Sequence, residues 1–216
     1  MSDDIYKKVS ECFSAYRLRS FDKGQVLMLS GDETDYVYLL EKGKVKVYDV
    51  TARGDEIVLN VFKPKSYFPM SLAINKISNP YIYEAETNIQ IRQAPAQDVV
   101  AFVRDNPDVM FDLLARVYVG LDGMLGRMAR LMEGSARNRL IYELILESRR
   151  FSSVAADGSS TLEISEKDLG ARAALSRETV SREMRKLKTE NLVGVANKQI
   201  VIKNLARLED ILSQAI

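Results

Sequence analysis

The chain is 216 residues long with 46% hydrophobic content, enough to bury a real core and to divide into two domains. It has no histidine and a single cysteine, Cys12. That removes the usual general base, the commonest metal ligand and any internal disulfide, so the reading is no metal, no cofactor and no enzyme. Net charge is only +1, which speaks against a non-specific polybasic binder. Residues 135–216 nevertheless carry 14 Lys/Arg against 11 Asp/Glu, a net +3, leaving −2 for the remainder. No apolar run reaches the length of a membrane span and the acidic start has no secretory core, so no membrane partner and a cytoplasmic location are expected.

Residues 4–16 have the period of a short amphipathic helix, with Ile5, Val9, Cys12 and Phe13 on one side. Cys12 reads as packing there, and a redox role would need a low thiol pKa. The period then changes. Short β-branched or aromatic runs at 26–29, 36–40, 44–50, 56–62 and 89–93 alternate with turns built on Gly24, Gly31, Gly43 and Gly54. Such regular punctuation predicts a closed antiparallel roll in residues 1–106. A short helix is expected over 98–102, after Pro95.

Pro107 is well placed to open a long helix running to about Glu133. Along it Met110, Leu114, Val117, Leu121, Met124, Met128 and Leu131 follow one another at spacings of 4, 3, 4, 3, 4 and 3, an unbroken heptad seam. The narrow stripe suits a parallel homodimer; packing of the same stripe onto the roll is the alternative. Gly120, Gly123 and Gly126 interrupt the helix propensity, each by up to about 1 kcal/mol relative to alanine. Gly134 and Ser135 end the pattern, so residues 107–134 read as a dimerisation helix with a hinge at Gly134 and Ser135.

Residues 135–216 form the last domain. Ser135 caps a helix over 136–150, a polar turn follows at 151–160, and Ser165 with Asp168 resembles a capping box opening a short helix that ends near Ala173. Ser176 then caps a second helix, with Val180, Met184 and Leu187 as its apolar stripe and Arg177, Glu178, Ser181, Arg182 and Arg185 around the rest. Two helices joined by a tight turn make a helix-turn-helix, whose second helix enters the major groove. Arginine suits guanine O6 and N7, and glutamate accepts from cytosine N4. Arg177, Glu178 and Arg182 are thus candidate base readers, with Ser176, Arg185, Lys186, Lys188 and Lys198 nearer the phosphates. A surface helix laced with Glu/Arg pairs is the bland alternative. Two β-like runs, 192–195 and 199–202, form a hairpin, and Asn204 caps a last helix.

This order of roll, long helix, hinge and winged helix, together with the run Ser-Arg-Glu-Thr-Val-Ser-Arg at 176–182, resembles the CRP/FNR family of bacterial transcription regulators over essentially the whole chain. The resemblance implies an α+β fold with an N-terminal antiparallel β-roll of jelly-roll type, and a homodimer bound to a two-fold symmetric operator in double-stranded DNA. It implies base reading at Arg177, Glu178 and Arg182, adds Ser181 to the base readers as the match of a serine found in the FNR-like branch, and implies RNA polymerase as a further partner. Where the family has glycine in the helix-turn-helix turn, Ala174 stands here.

In the cyclic-nucleotide-binding members a Gly-Glu pair and a later Arg-Ser pair hold ribose and phosphate; here Pro69-Met70 and Asn79-Pro80 occupy those positions. A phosphate buried without its cationic partner is strongly unfavourable, so no tight cyclic AMP or cyclic GMP binding is expected. The side chains around the site, Tyr67, Phe68, Met70, Tyr81 and Tyr83, either line a pocket for an unknown, weakly polar effector or fill a core. The rival function is a small-molecule sensor or assembly module whose winged helix binds protein rather than DNA.

Overall fold

A computed structural model describes residues 1–152, 155–196 and 199–214. It divides into two compact units, Met1–Val119 and Gly120–Ile216.

The first unit opens with α1 (Asp3–Ser14), whose free amides are capped by Ser2 and whose first turn is acidic. Eight strands follow: β1 (Leu18–Phe21), β2 (Val26–Met28), β3 (Tyr36–Lys42), β4 (Val45–Val50), β5 (Glu56–Phe62), β6 (Tyr67–Phe68), β7 (Ile82–Ala85) and β8 (Ile89–Pro95). The helix α2 (Met70–Asn75) sits between β6 and β7, and α3 (Ala96–Asp105) follows β8. The strands pair antiparallel into two sheets, ordered β1-β8-β3-β6 and β2-β7-β4-β5. Both sheets feed one interior, where Leu40, Phe68, Ile89 and Ile91 of the first meet Val45, Val47, Tyr83 and Ala85 of the second. Strand alternation sends Val37, Leu39, Tyr67 and Ala94 to the opposite face of the first sheet. There they meet Val9 and Phe13 of α1, Met70 and Ala73 of α2, and Val99 and Val103 of α3. The roll therefore has two cores, one inside it and one under its helices.

A 27-residue helix, α4 (Pro107–Glu133), spans about 40 Å. Val109 is its one buried residue among those described, and it belongs to the core under the helices. The seven seam residues are all exposed, between 45% and 57%.

The second unit contains α5 (Ala136–Phe151), β9 (Ser160–Leu162), α6 (Glu166–Ala173), α7 (Arg177–Thr189), β10 (Val193–Ala196), β11 (Gln199–Ile202) and α8 (Leu205–Ser213). Its core joins Leu140, Leu144 and Ile145 of α5 with Leu169 of α6, Val180, Met184 and Leu187 of α7, Ile200 and Ile202 of β11, and Leu208 of α8. Each such side chain contributes about 1.5–3 kcal/mol on leaving water. The expected two-stranded hairpin has a third strand: β9 pairs antiparallel with β11, Leu162 opposite Ile200. The segment read as a polar turn thus ends in sheet, and the Ser160 hydroxyl is buried against Ser148, Oγ to Oγ 2.8 Å.

Candidate nucleic-acid interface

The turn between α6 and α7 fixes the geometry of the interface. The Ser165 hydroxyl accepts from the Asp168 amide at 3.1 Å and donates to the Asp168 carboxylate at 2.6 Å, closing the first turn of α6 from both sides. At its other end Ala174 takes the left-handed conformation, φ +52°, and the Leu175 amide donates to Gly170 O at 2.9 Å. Alanine holds there a conformation that glycine adopts at less cost. The Arg139 guanidinium donates to the Ala174 carbonyl at 3.2 Å and braces the turn. Gly170 is the residue that sequence reasoning passed over. A Cβ on it would lie 2.9 Å from Leu175 O and 3.3 Å from Val180 Cγ2, so the turn and α7 close onto α6 only over a glycine. A glycine inside a short, well-capped helix is the signal that could have marked it.

Ser176 caps α7, accepting from the Thr179 amide at 3.3 Å. Val180, Met184 and Leu187 are fully buried beneath the helix, which turns Arg177, Glu178 and Arg182 outward and leaves Ser181 half-buried. The Glu178 backbone amide and the Ser176 hydroxyl hold the Glu178 carboxyl below the usual carboxylate range, so it remains a hydrogen-bond acceptor. Glu183, whose role the sequence left unread, is buried on the inner side of α7. Burial pushes its carboxyl up, but hydrogen bonds from Lys186 Nζ (3.0 Å) and Arg182 Nε (3.3 Å) outweigh this and hold it down. The ionised Glu183 thereby steadies the base of the exposed Arg182 guanidinium.

Of the candidate phosphate residues, Ser176, Arg185, Lys186 and Lys188 are all exposed on or beside α7. Lys186 pairs with Glu183 and Lys188 with Glu166, at 3.4 Å in the second case. Lys198 lies outside the described residues. At the hinge Gly134 adopts φ +79° and donates to Leu131 O at 3.2 Å, while the Ser135 hydroxyl accepts from the Asn138 amide at 3.2 Å. One helix is closed and the next opened within two residues. Upstream, a Cβ on Gly126 would collide with the Tyr142 hydroxyl, so α5 approaches α4 closely there.

The five candidate effector-site residues are not brought together as one lining. Phe68 and Tyr83 lie inside the roll in a near-parallel stack with Phe62, the ring centroids 4.4 Å apart for Phe62 and Phe68 and 5.8 Å for Phe68 and Tyr83. Burial pushes the Tyr83 hydroxyl up to about 12. Tyr67 and Met70 belong to the other core, and the Tyr67 ring lies 4.8 Å beneath the Arg116 guanidinium. Tyr81 is exposed. Asn79, buried to 1%, donates through Nδ2 to Leu29 O at 2.7 Å and to Tyr81 O, and accepts through Oδ1 from the Tyr81 amide at 3.0 Å. Its side chain staples its own loop to the one at Leu29.

Comparison with known proteins agrees with this architecture. A model of the cyclic nucleotide-binding domain matches residues 18–106, and one of the Crp-like helix-turn-helix domain matches residues 138–211. The global nitrogen regulator of Synechocystis is 26% identical over 194 residues, covering 87% of this chain and 84% of its own. The cyclic AMP receptor protein of Thermus thermophilus is 26% identical over 206 residues, covering 95% and 92%. Among solved structures, a CooA variant from Carboxydothermus hydrogenoformans superposes with a TM-score of 0.80 at 17% identity, covering 98% of this chain and 97% of that one. Among the described residues no helix is long and apolar enough to cross a membrane.

Proposed function

This chain belongs to the CRP/FNR family of transcription regulators, and from that premise we propose that it acts as a homodimer on a two-fold symmetric operator. The observation that carries the reading is the two-sided character of α7. Val180, Met184 and Leu187 are completely buried, and Arg177, Glu178 and Arg182 stand at the surface above them. On that outer face Arg177 and Arg182 offer paired donors to guanine, Glu178 accepts from cytosine, and Ser181 takes either role. Ser176, Arg185, Lys186 and Lys188 fix register on the backbone, the two lysines exchanging a carboxylate partner for phosphate. Lys198 extends the same footprint by its place in the sequence.

Dimerisation through α4 is supported by the exposure of all seven seam residues in the single chain. A patch of that length left to water is the kind of surface that pairs with another copy. The two copies of α7 then meet successive major grooves about 34 Å apart. The partners in this reading are double-stranded DNA, a second copy of the chain and, by family relation, RNA polymerase. Pro69-Met70 and the internally satisfied Asn79 support a roll that does not bind cyclic nucleotides tightly.

The test is selection of bound duplexes from a random DNA pool by the full-length protein without added ligand. A palindrome with half-sites one helical turn apart is expected. Failure to enrich any sequence, with or without cell metabolites added, would sink the proposal.

A further inference from the structure

Three consecutive residues in the first turn of α5 reach in three directions. Asn138 is buried and donates through Nδ2 across the hinge to the Glu133 carboxylate at the end of α4, whose other oxygen accepts from Arg130 at 2.7 Å. Arg139 donates to the carbonyl of Ala174, the residue that ends α6, two positions before the Ser176 cap of α7. Arg137 makes a two-pronged contact with Glu190, Nη1 to Oε1 at 2.8 Å and Nη2 to Oε2 at 2.6 Å. Glu190 is the residue that caps the C-terminal end of α7. Side chains two positions apart on a helix diverge by roughly 200°, which lets Arg137 reach the end of α7 while Arg139 reaches the turn between α6 and α7.

Both contacts also follow a common electrostatic rule. The C-terminal end of a helix carries the negative pole of its dipole, and each arginine sits at such an end, Arg139 at α6 and Arg137 at α7. A planar two-pronged contact fixes direction as well as distance, which a single ammonium does not. Arg137 thus holds the C-terminal end of α7 and Arg139 the turn that leads into it, while the residue between them holds the end of α4.

We propose that Arg137, paired with Glu190 and flanked by Asn138 and Arg139, is a positioning residue that sets the angle of α7 relative to the hinge and so the fit of the protein to its preferred DNA sequence. The inference rests on the reading of the chain as a DNA-binding regulator. Arg137 acts through Glu190 and reads no base itself. Two adjacent protomers each carry the clamp, so its effect on a two-fold site is squared.

Glu190 makes the idea separable from simple electrostatics. Removing a negative charge next to a DNA-binding helix should, by charge alone, tighten every DNA complex. Loss of the clamp should instead weaken only the complex that needs the helix at its native angle. The experiment uses full-length protein and two duplexes, one selected from a random pool by the wild-type protein and one of scrambled sequence, at fixed salt. Glu190→Gln and Arg137→Ala should each lower affinity for the selected duplex about threefold per protomer, hence about tenfold for the dimer, a scale set by an exposed ion pair. Glu190→Gln should not lower affinity for the scrambled duplex. The double variant Arg137→Glu with Glu190→Arg should restore the selected affinity to within about twofold of wild type.

If Glu190→Gln raises affinity for both duplexes, or leaves the selected one unchanged, the clamp does not position α7 and the proposal falls. It falls equally if the variants' thermal midpoints drop far enough to account for lost binding, or if the double variant gives no recovery. A wild-type protein that enriches no sequence overturns the regulator reading, and this inference with it.

Discussion

The loop around Asn79 in the roll and the outer face of α7 treat polar side chains in opposite ways. Asn79 is buried, with both amide donors and its acceptor engaged by the backbone of Leu29 and Tyr81. Arg177, Glu178 and Arg182 stand on the surface of a helix whose other side is fully packed. The same contrast holds for apolar groups. Phe62, Phe68 and Tyr83 stack on one another inside the roll, whereas the seam of α4 faces outward along its whole length. A side chain whose partners lie within its own unit stabilises that unit. A row of side chains held rigidly but left without apolar cover marks where the molecule meets something else. By that criterion the loop at Asn79 is closed on itself, while the outer face of α7 and the seam of α4 are open.

The largest consequence is expected from making the open apolar row polar. Leu121→Glu at the middle of the seam would set two carboxylates against each other in a parallel pair. An uncompensated charge buried in such a place costs about 3–5 kcal/mol. We expect a monomer by sedimentation velocity and a fall of at least a hundredfold, roughly, in affinity for the selected duplex. A variant that sediments as a dimer would show that α4 does not carry the interface.

Next in size is the open polar face. Arg182→Ala should cost about 1–3 kcal/mol of discrimination at one base pair, and Lys188→Ala should weaken all duplexes alike. Competition binding with single-base variants of the selected duplex checks this. Equal losses on specific and scrambled DNA for Arg182→Ala would remove its base-reading role.

How much of this is legible in the sequence depends on where the determining contacts lie in the chain. The caps at Ser135, Ser165, Ser176 and Asn204 involve residues three apart, and the structure has each of them. The long helix and its outward seam follow from a local heptad period. The strands β1, β6, β7 and β9 went unread because two to four residues carry too little alternation, and their partners are distant: β9 answers to β11, some forty residues on. The dual core of the roll was hidden for a related reason. Tyr67 and Phe68 are adjacent in sequence, yet the pleat sends one to each side of the first sheet, so a cluster of aromatics in the sequence became two unrelated clusters in space. Glu183 and the pair Arg137 with Glu190 were invisible because a charged residue on a helix looks the same in sequence whether its partner is water or a cation brought near by the fold.

The turn that links α6 to α7 tests how tightly the open face is held. Gly170→Ala would place a methyl group 2.9 Å from a backbone oxygen, and overpacking of that kind costs about 1–3 kcal/mol. Ala174→Gly should work in the other direction, relieving a left-handed alanine for a gain of about 1 kcal/mol. Urea unfolding of the two variants should move the midpoint to opposite sides of wild type. A shift of both in the same direction would mean that the turn is not the constraint the geometry describes.

The smallest expected effect concerns the closed loop and is no effect at all. Titration calorimetry with cyclic AMP or cyclic GMP should give no binding at micromolar concentrations, and neither nucleotide should change affinity for the selected duplex. The reason is energetic rather than steric. A buried phosphate needs a cation or a set of unengaged donors, and Asn79 has already committed its amide to Leu29 and Tyr81 while Pro69 brings no amide proton. Asn79→Arg provides the contrasting arm. An arginine there would have to give up the staple between the loops at 29–32 and 79–81, so we expect lower stability and still no nucleotide affinity. Micromolar binding by wild type would show that the roll is open after all, and gain of binding by Asn79→Arg would show that a missing charge, not a closed loop, separates this chain from its nucleotide-binding relatives.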